Sequence, residues 1–174
     1  MDDILRKAAT IRLAVFDVDG VLTDGRLILG NNGSEYKSFH VHDGLGLVML
    51  KRAGLLVAVI SARKSDIVSE RMAALGIEYV YQGQDDKRGA LLGLMRDLNV
   101  QPDETAFVGD DLIDLPAMAA AGFSIAVGNA HPFVREHADW VTQGHGGRGA
   151  VREICELILK AHGRLETVYR EFLP

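Results

Sequence analysis

The sequence has a single cysteine, Cys155, no apolar run long enough to cross a membrane, and no excess of basic residues. Each shortage excludes something. A lone cysteine closes no intrachain disulfide, which fits a reducing cytoplasm. In its amphipathic stretch Cys155 reads as a small buried apolar residue rather than a nucleophile. Without a long apolar run there is no transmembrane helix. The charged start, with Asp2, Asp3, Arg6 and Lys7, is not that of a signal peptide. Net charge is −5 at pH 7, so no nucleic-acid or membrane partner is expected, because neither a phosphate backbone nor an anionic lipid surface attracts such a protein. Repeats, low-complexity tracts and interdomain linkers are also missing. What remains is 174 residues, 48 % hydrophobic and 25 % charged, enough to bury a full core as one domain over 1–174.

The chain is organised around Ala14 to Asp24. The apolar run Leu13–Phe16 stops at Asp17 and Asp19, which the side-chain period of a strand sends out of its end together. Gly20 then lets the backbone turn sharply. Two adjacent carboxylates repel unless a cation or a shared proton relieves them. The pair reads as a Mg2+ site with a nucleophile and an acid/base, or as a polar strand end before a turn.

Further along, strands and helices alternate. A leading helix is expected over 2–10, and a first strand over about Arg12–Phe16. Two short segments about the Gly30–Ser34 turn read as a hairpin over about 25–39. It carries apolar Leu27, Leu29, Tyr36 and Phe39. A helix over Gly44–Ala53 precedes a buried strand, Leu55–Ile60. Ser65–Asp66 can cap a helix through Leu75, and Ile77–Tyr81 is a third strand. A helix over about Asp86–Leu98 leads to the strand Thr105–Val108. A helix over about Leu112–Ala121 and the strand Phe123–Val127 follow. The remainder is a short helix His131–His137, a short strand Trp140–Val141, a helix over about Ala150–Ala161, and a tail, Gly163–Pro174, expected outside the core. This order predicts a three-layer, Rossmann-like α/β fold with a parallel sheet, whose ligands bind at the carboxyl ends of strands. The polar clusters fall there: Asp17 and Asp19 after strand one, Ser61 after strand two, and Asp110, Asp111 and Asp114 after strand four.

Taken together, Asp17-Val18-Asp19-Gly20-Val21, Ser61, Lys87 and Gly109-Asp110-Asp111-Leu112-Ile113-Asp114 resemble the four motifs of the haloacid dehalogenase superfamily of phosphatases. The resemblance implies that Asp17 attacks phosphorus and that Asp19 serves as acid and then base. It implies Mg2+ held by the carboxylates of Asp17 and Asp110 and the backbone carbonyl of Asp19. Ser61 and Lys87 would hold the phosphoryl oxygens. Asp114 would orient Lys87 or a metal-bound water; Asp111 would assist there or simply cap a helix.

The intervals between motifs leave no room for a cap domain. The resemblance is therefore to the capless group, whose hairpins associate in homotetramers and whose neighbouring subunits help wall the site. Stretches such as Gly30–Glu35, Asp43–Gly46, Tyr81–Lys87 and Gly146–Glu153 are similar to the sugar-acid phosphatases of lipopolysaccharide precursor synthesis, which implies an anionic eight-carbon sugar phosphate as substrate. His40, His42, Asp43, Gly44, Arg63, Arg71, Lys87 and Arg148 are then the candidates for binding it. The alternatives are a solvent-facing histidine pair and surface ion pairs for the arginines. His42 and Val48 stand where such enzymes often carry Arg or Lys, which leaves a related nine-carbon acid phosphate open. A phosphoacceptor signalling domain is a weaker alternative, since strand three ends in Tyr81-Gln82-Gly83 without an aspartate. A noncatalytic assembly module would not require Asp17, Asp19, Lys87 and Asp110.

Overall fold

The computed structural model describes residues 2–174. It begins with helix α1 (Asp2–Thr10), which has aspartates in its first turn and Lys7 in its last, the charge order that suits a helix dipole. Strand β1 (Leu13–Phe16) follows and is buried throughout, as a strand covered on both faces must be. It lies between β4 (Leu56–Ser61) and β6 (Thr105–Gly109), parallel to both; Phe16 is level with Val59 and Val108. Beyond β4 lies β5 (Tyr79–Gln82). Beyond β6 lie β7 (Phe123–Ala126) and β8 (Trp140–Val141), giving a six-stranded parallel sheet in the order β5-β4-β1-β6-β7-β8.

From β1 the chain steps one way, to β4 and β5, and then crosses back to β6 and β7 on the other side. Right-handed crossovers place the helices of the two directions on opposite faces. Helices α2 (Val41–Arg52), α3 (Asp66–Ala74), α4 (Lys87–Leu98) and α5 (Leu115–Met118) make these crossovers, α6 (Pro132–His137) precedes β8, and α7 (Ala150–Ala161) follows it. The strand order reverses between β1 and β6, and a crevice opens there at the carboxyl ends of the strands.

The hairpin is a separate two-stranded sheet, β2 (Ile28–Leu29) against β3 (Glu35–Tyr36). Its turn is closed by Gly30 N–H donating to Ser34 O at 2.7 Å. Leu27, Ile28, Leu29 and Tyr36 are exposed. Phe39, expected on this protrusion, instead packs against the core with the Arg71 guanidinium 5.9 Å above its ring.

Three expectations are corrected. Helix α2 starts at Val41, not Gly44. Its glycines are packing residues: a Cβ on Gly46 would lie 3.2 Å from Cys155 Cβ of α7, and one on Gly44 would lie 2.4 Å from the Arg71 guanidinium. The helix expected over Leu112–Ala121 is a tight turn, Leu112–Asp114, followed by the four-residue α5. The Asp114 side chain bonds back to the amides of Asp110 and Asp111, which holds this stretch in a turn. The tail is not wholly outside the core. It forms α8 (Leu165–Arg170), whose Val168 is buried while Leu165 and Tyr169 pack against the core.

Candidate active site

Asp17 leaves β1 with its N–H bonded to Val108 O of β6 at 3.0 Å. The next residues make one wide turn, closed by Thr23 N–H to Val18 O at 3.0 Å. Gly20 is required in that turn. Its φ is +99°, and a Cβ there would lie 2.0 Å from Asp110 Oδ2. The loop before α7 presses on the other side of the turn. A Cβ on Gly146 would sit 1.6 Å from Gly20 O, and Gly147 N–H donates to Val21 O at 2.9 Å. The Gly146–Gly149 stretch is thus a backbone brace for the Asp17–Asp19 turn.

Lys87, at the start of α4, is buried between two carboxylates. Its Nζ is 2.8 Å from Asp17 Oδ1 and 2.6 Å from Asp114 Oδ1. Burial works to lower the pKa of Lys87, but the charges of Asp17 and Asp114 outweigh it and raise it, so the ammonium is a fixed positive charge. The other oxygen of Asp114 accepts from Asp110 N–H at 3.0 Å and Asp111 N–H at 3.2 Å. Asp114 therefore ties the lysine and the end of β6 into one unit. Asp111 caps the following turn, accepting from Leu112 N–H at 2.8 Å.

Asp17, Asp110 and Asp114 bring carboxylate oxygens within 4.8 Å of one another. Burial, and then the Asp114 charge, push Asp17 up to about 7. Burial, and then the charges of Asp17, Asp114 and Asp111, push Asp110 up to about 8. Asp110 Oδ1 is buried without a hydrogen-bond partner among the described residues. Three crowded carboxylates against the single Lys87 ammonium, with a free buried oxygen, fit a hard divalent cation, which takes oxygen ligands and relieves their repulsion. Both oxygens of Asp114 are already engaged, so Asp17 and Asp110 are the side chains free to bind it.

Asp19 faces the hairpin. Its Oδ1 accepts from Lys37, and Arg63 Nε lies 3.7 Å from its Oδ2. Glu35 joins the two cations, 3.4 Å from Lys37 Nζ and 3.0 Å from Arg63 Nη2. Glu35 and Lys37 were missed as site residues. The available signal was the period of two, which sends them to one side of the hairpin strand and Tyr36 to the other. A cleft of about 250 Å³ is lined by Asp17, Asp19, Ser61, Arg63, Lys87 and Asp110, with Leu27 and Ile113 among its apolar walls.

The other candidates lie elsewhere. His40, Asp43, Gly44 and Arg71 surround a separate cavity of about 10 Å³, too small to hold a sugar. Within one chain none of these four lines the cleft. The Asp43 carboxylate is buried and accepts from Gly149 N–H at 3.2 Å and Arg152 N–H at 2.8 Å, capping α7. His42 lies in the first turn of α2, exposed, with its ring edge-on at 5.0 Å to His40, which immediately precedes the helix. Arg148 is exposed and faces Asp24 at 3.5 Å.

A parallel α/β sheet with carboxylates, a buried lysine and a strand-end serine converging at its switch point defines a phosphoryl-transfer site. The profile of the haloacid dehalogenase-like hydrolases matches residues 66–154. The 3-deoxy-D-manno-octulosonate 8-phosphate phosphatase KdsC of Escherichia coli K12 is 49 % identical over 164 residues, which span 94 % of this chain and 87 % of that protein. The chain belongs to the haloacid dehalogenase-like hydrolases. Among solved structures, it is similar to the phosphatase of the same name from Moraxella catarrhalis in complex with magnesium, phosphate and KDO. The TM-score is 0.97 at 46 % identity, covering 99 % of each chain. The cobalt-bound Haemophilus influenzae phosphatase aligns with a TM-score of 0.92 at 45 % identity, over 97 % of this chain and 99 % of that one.

Proposed function

We propose that this protein is a Mg2+-dependent phosphatase that hydrolyses 3-deoxy-D-manno-octulosonate 8-phosphate to the free sugar acid and phosphate, a step in lipopolysaccharide precursor synthesis. The observation that carries the reading is the buried Asp17–Lys87–Asp114 unit facing Asp110 across the switch point, in a chain 49 % identical to a phosphatase of that name.

In this reading Asp17 attacks phosphorus. An oxygen–phosphorus bond forms to Asp17 as the bond to the sugar oxygen breaks, and Asp19 gives that oxygen a proton. Asp19 then takes a proton from a water that attacks the aspartyl-phosphate, which releases phosphate and frees Asp17. Lys87 supplies a fixed positive charge beside the transferred group, and Ser61 donates to one of its oxygens. Asp17, Asp110 and the backbone carbonyl of Asp19 would hold Mg2+, which when bound would neutralise charge between an anionic nucleophile and an anionic phosphate. Arg63 lies on the cleft wall and is positioned to meet an anionic substrate.

The exposed apolar hairpin supports a homotetramer in which identical hairpins bury one another and narrow an otherwise open cleft. No helix among the described residues is long and apolar enough to cross a membrane, and a cytoplasmic location fits a substrate of biosynthetic metabolism. The test is phosphate release with Mg2+ from a panel of eight- and nine-carbon sugar-acid phosphates. Preference for the eight-carbon 8-phosphate is the expected result. Preference for a nine-carbon acid would move the substrate assignment while keeping the chemistry. No release from any member would refute the reading.

A further inference from the structure

Lys37 lies on the hairpin, outside every motif that marks the site, yet its ammonium reaches Asp19 Oδ1. Its side chain is 1 % exposed and does not line the cleft. A group shielded from the cleft cannot touch substrate, so any effect of Lys37 on the reaction passes through the groups it holds. Those are Asp19 and Glu35. Among the described residues, the only hydrogen bond to the Asp19 carboxylate comes from Lys37. Arg63 Nε, at 3.7 Å from the other oxygen, is an ion-pair neighbour beyond hydrogen-bond reach. Asp19 itself stands in the wide turn, with extended backbone angles of φ −77° and ψ 111°, so no helix packing fixes its side chain.

A buried ammonium is a poor device for stability alone, because its desolvation offsets the attraction of its partners. Here it sits on the one carboxylate whose direction decides whether a proton reaches the leaving oxygen. Building on the acid/base role proposed above for Asp19, we infer that Lys37 is a positioning residue. It aims the Asp19 carboxylate at the leaving-group side of the cleft, and Glu35 holds Lys37 in place. The hairpin thereby reaches the chemistry within its own chain, independently of any contact it makes with another copy.

The test uses aryl phosphates of matched size and rising leaving-group pKa, from p-nitrophenyl to phenyl phosphate. Since kcat/KM covers the steps through the first loss of alcohol, its dependence on leaving-group pKa reports how well that oxygen is protonated. Lys37→Met is expected to lower kcat/KM about 10-fold on phenyl phosphate and about 2-fold on p-nitrophenyl phosphate, a fraction of the roughly 10²-fold or more that a general acid contributes. Lys37→Arg should restore most of the phenyl phosphate rate, and Glu35→Gln should steepen the dependence in the same direction. In an Asp19→Asn background Lys37→Met should cost nothing further, the mark of a residue that acts through another. Equal losses on all substrates, or a full loss in the Asp19→Asn background, would overturn the inference and leave Lys37 a structural ion pair. If Asp19→Asn by itself lowers all substrates equally, the acid role of Asp19 falls first and takes this inference with it. Should Lys37→Met fail to fold, Glu35→Gln and Lys37→Arg carry the same comparison.

Discussion

Replacing Asp114 with asparagine separates what this residue does from what Asp17 does. Asp114 is fully buried and accepts three hydrogen bonds, from Lys87 Nζ at 2.6 Å and from the amides of Asp110 and Asp111 at 3.0 and 3.2 Å. Asparagine has one acceptor oxygen and one donor NH2. If the oxygen faces Lys87, the NH2 points at two amide donors; if it is flipped, the NH2 points at an ammonium. Either way buried donors lose their acceptor. One effect opposes this: removing the Asp114 charge relieves repulsion on Asp17 and Asp110. The hydrogen-bond loss should win, since breaking a buried ion pair costs about 3–5 kcal/mol and Asp17 keeps only one contact to Lys87. Taking about 3 kcal/mol and about 2–4 °C per kcal/mol for a chain of this size, Tm should fall by roughly 6–12 °C. Lys87 and the end of β6 would both shift, so kcat/KM should drop about 10–100-fold, the usual effect of removing an orienting partner at such a site. Thermal unfolding and phosphate-release kinetics on one preparation measure both. An asparagine variant with the parent Tm and parent kcat/KM would refute the claim that Asp114 holds Lys87 and β6 together.

Asp17→Asn should abolish turnover while the fold survives, because an amide is not a competent nucleophile and Lys87 retains Asp114; undiminished phosphate release from the purified variant would rule out the covalent route. The metal-free protein should lose stability as pH rises from about 4 to 8. Asp17 and Asp110 titrate at about 7 and about 8 when folded but near 3.8 when unfolded, so the folded state binds more protons across that window. Scanning fluorimetry in chelator should show Tm falling from pH 5 to pH 8, and added Mg2+ should raise Tm more at pH 8; a metal-free Tm that climbs across the window would contradict the crowded-carboxylate reading. Changing Leu27 and Leu29 together to glutamate should leave the sheet intact, since both are exposed, yet split the assembly in sedimentation velocity and raise KM for the sugar phosphate. A parent protein that sediments as a fully active monomer would remove the proposed tetramer.

The sheet was legible because buried parallel strands are written as apolar runs that stop at polar residues. Leu13–Phe16, Leu56–Ser61 and Thr105–Gly109 all read that way, and the polar stops at Asp17, Ser61 and Asp110 are the cleft. The first turn of α2, Val41–Asp43, was not legible, because Val41 and His42 are exposed and present no apolar face to mark it. The turn at Leu112–Asp114 was hidden for the opposite reason. Leu112 and Ile113 suggest a helix face, while the side chain that prevents regular helix there, Asp114, acts by folding back on the backbone. Lys37 was overlooked as a site residue because its link to Asp19 spans 18 positions: the period of two puts Glu35 and Lys37 on one side of the hairpin but does not say that this side meets the end of β1.

Asp43, singled out as a substrate candidate, also shapes the site through the backbone, together with the glycines around the Asp17–Asp19 turn. Asp43 caps the first turn of α7. The loop leading into α7 places Gly146 and Gly147 against the turn that carries Asp19. On the inner side of that turn Gly20 lies against Asp110. A side chain at any of these close approaches would displace the next member of the series, so Gly20, Gly146 and Gly147 bear on the site although the Gly146–Glu153 stretch does not line the cleft. His42 and Val48, where the sequence departs from the common basic residues, lie on α2 but outside both the cap and the cleft lining. Their side chains can therefore vary without disturbing the phosphoryl-transfer machinery. A contact between them and a sugar requires the cleft of another copy, so they bear on substrate choice only in the assembly that Leu27 and Leu29 are proposed to hold together.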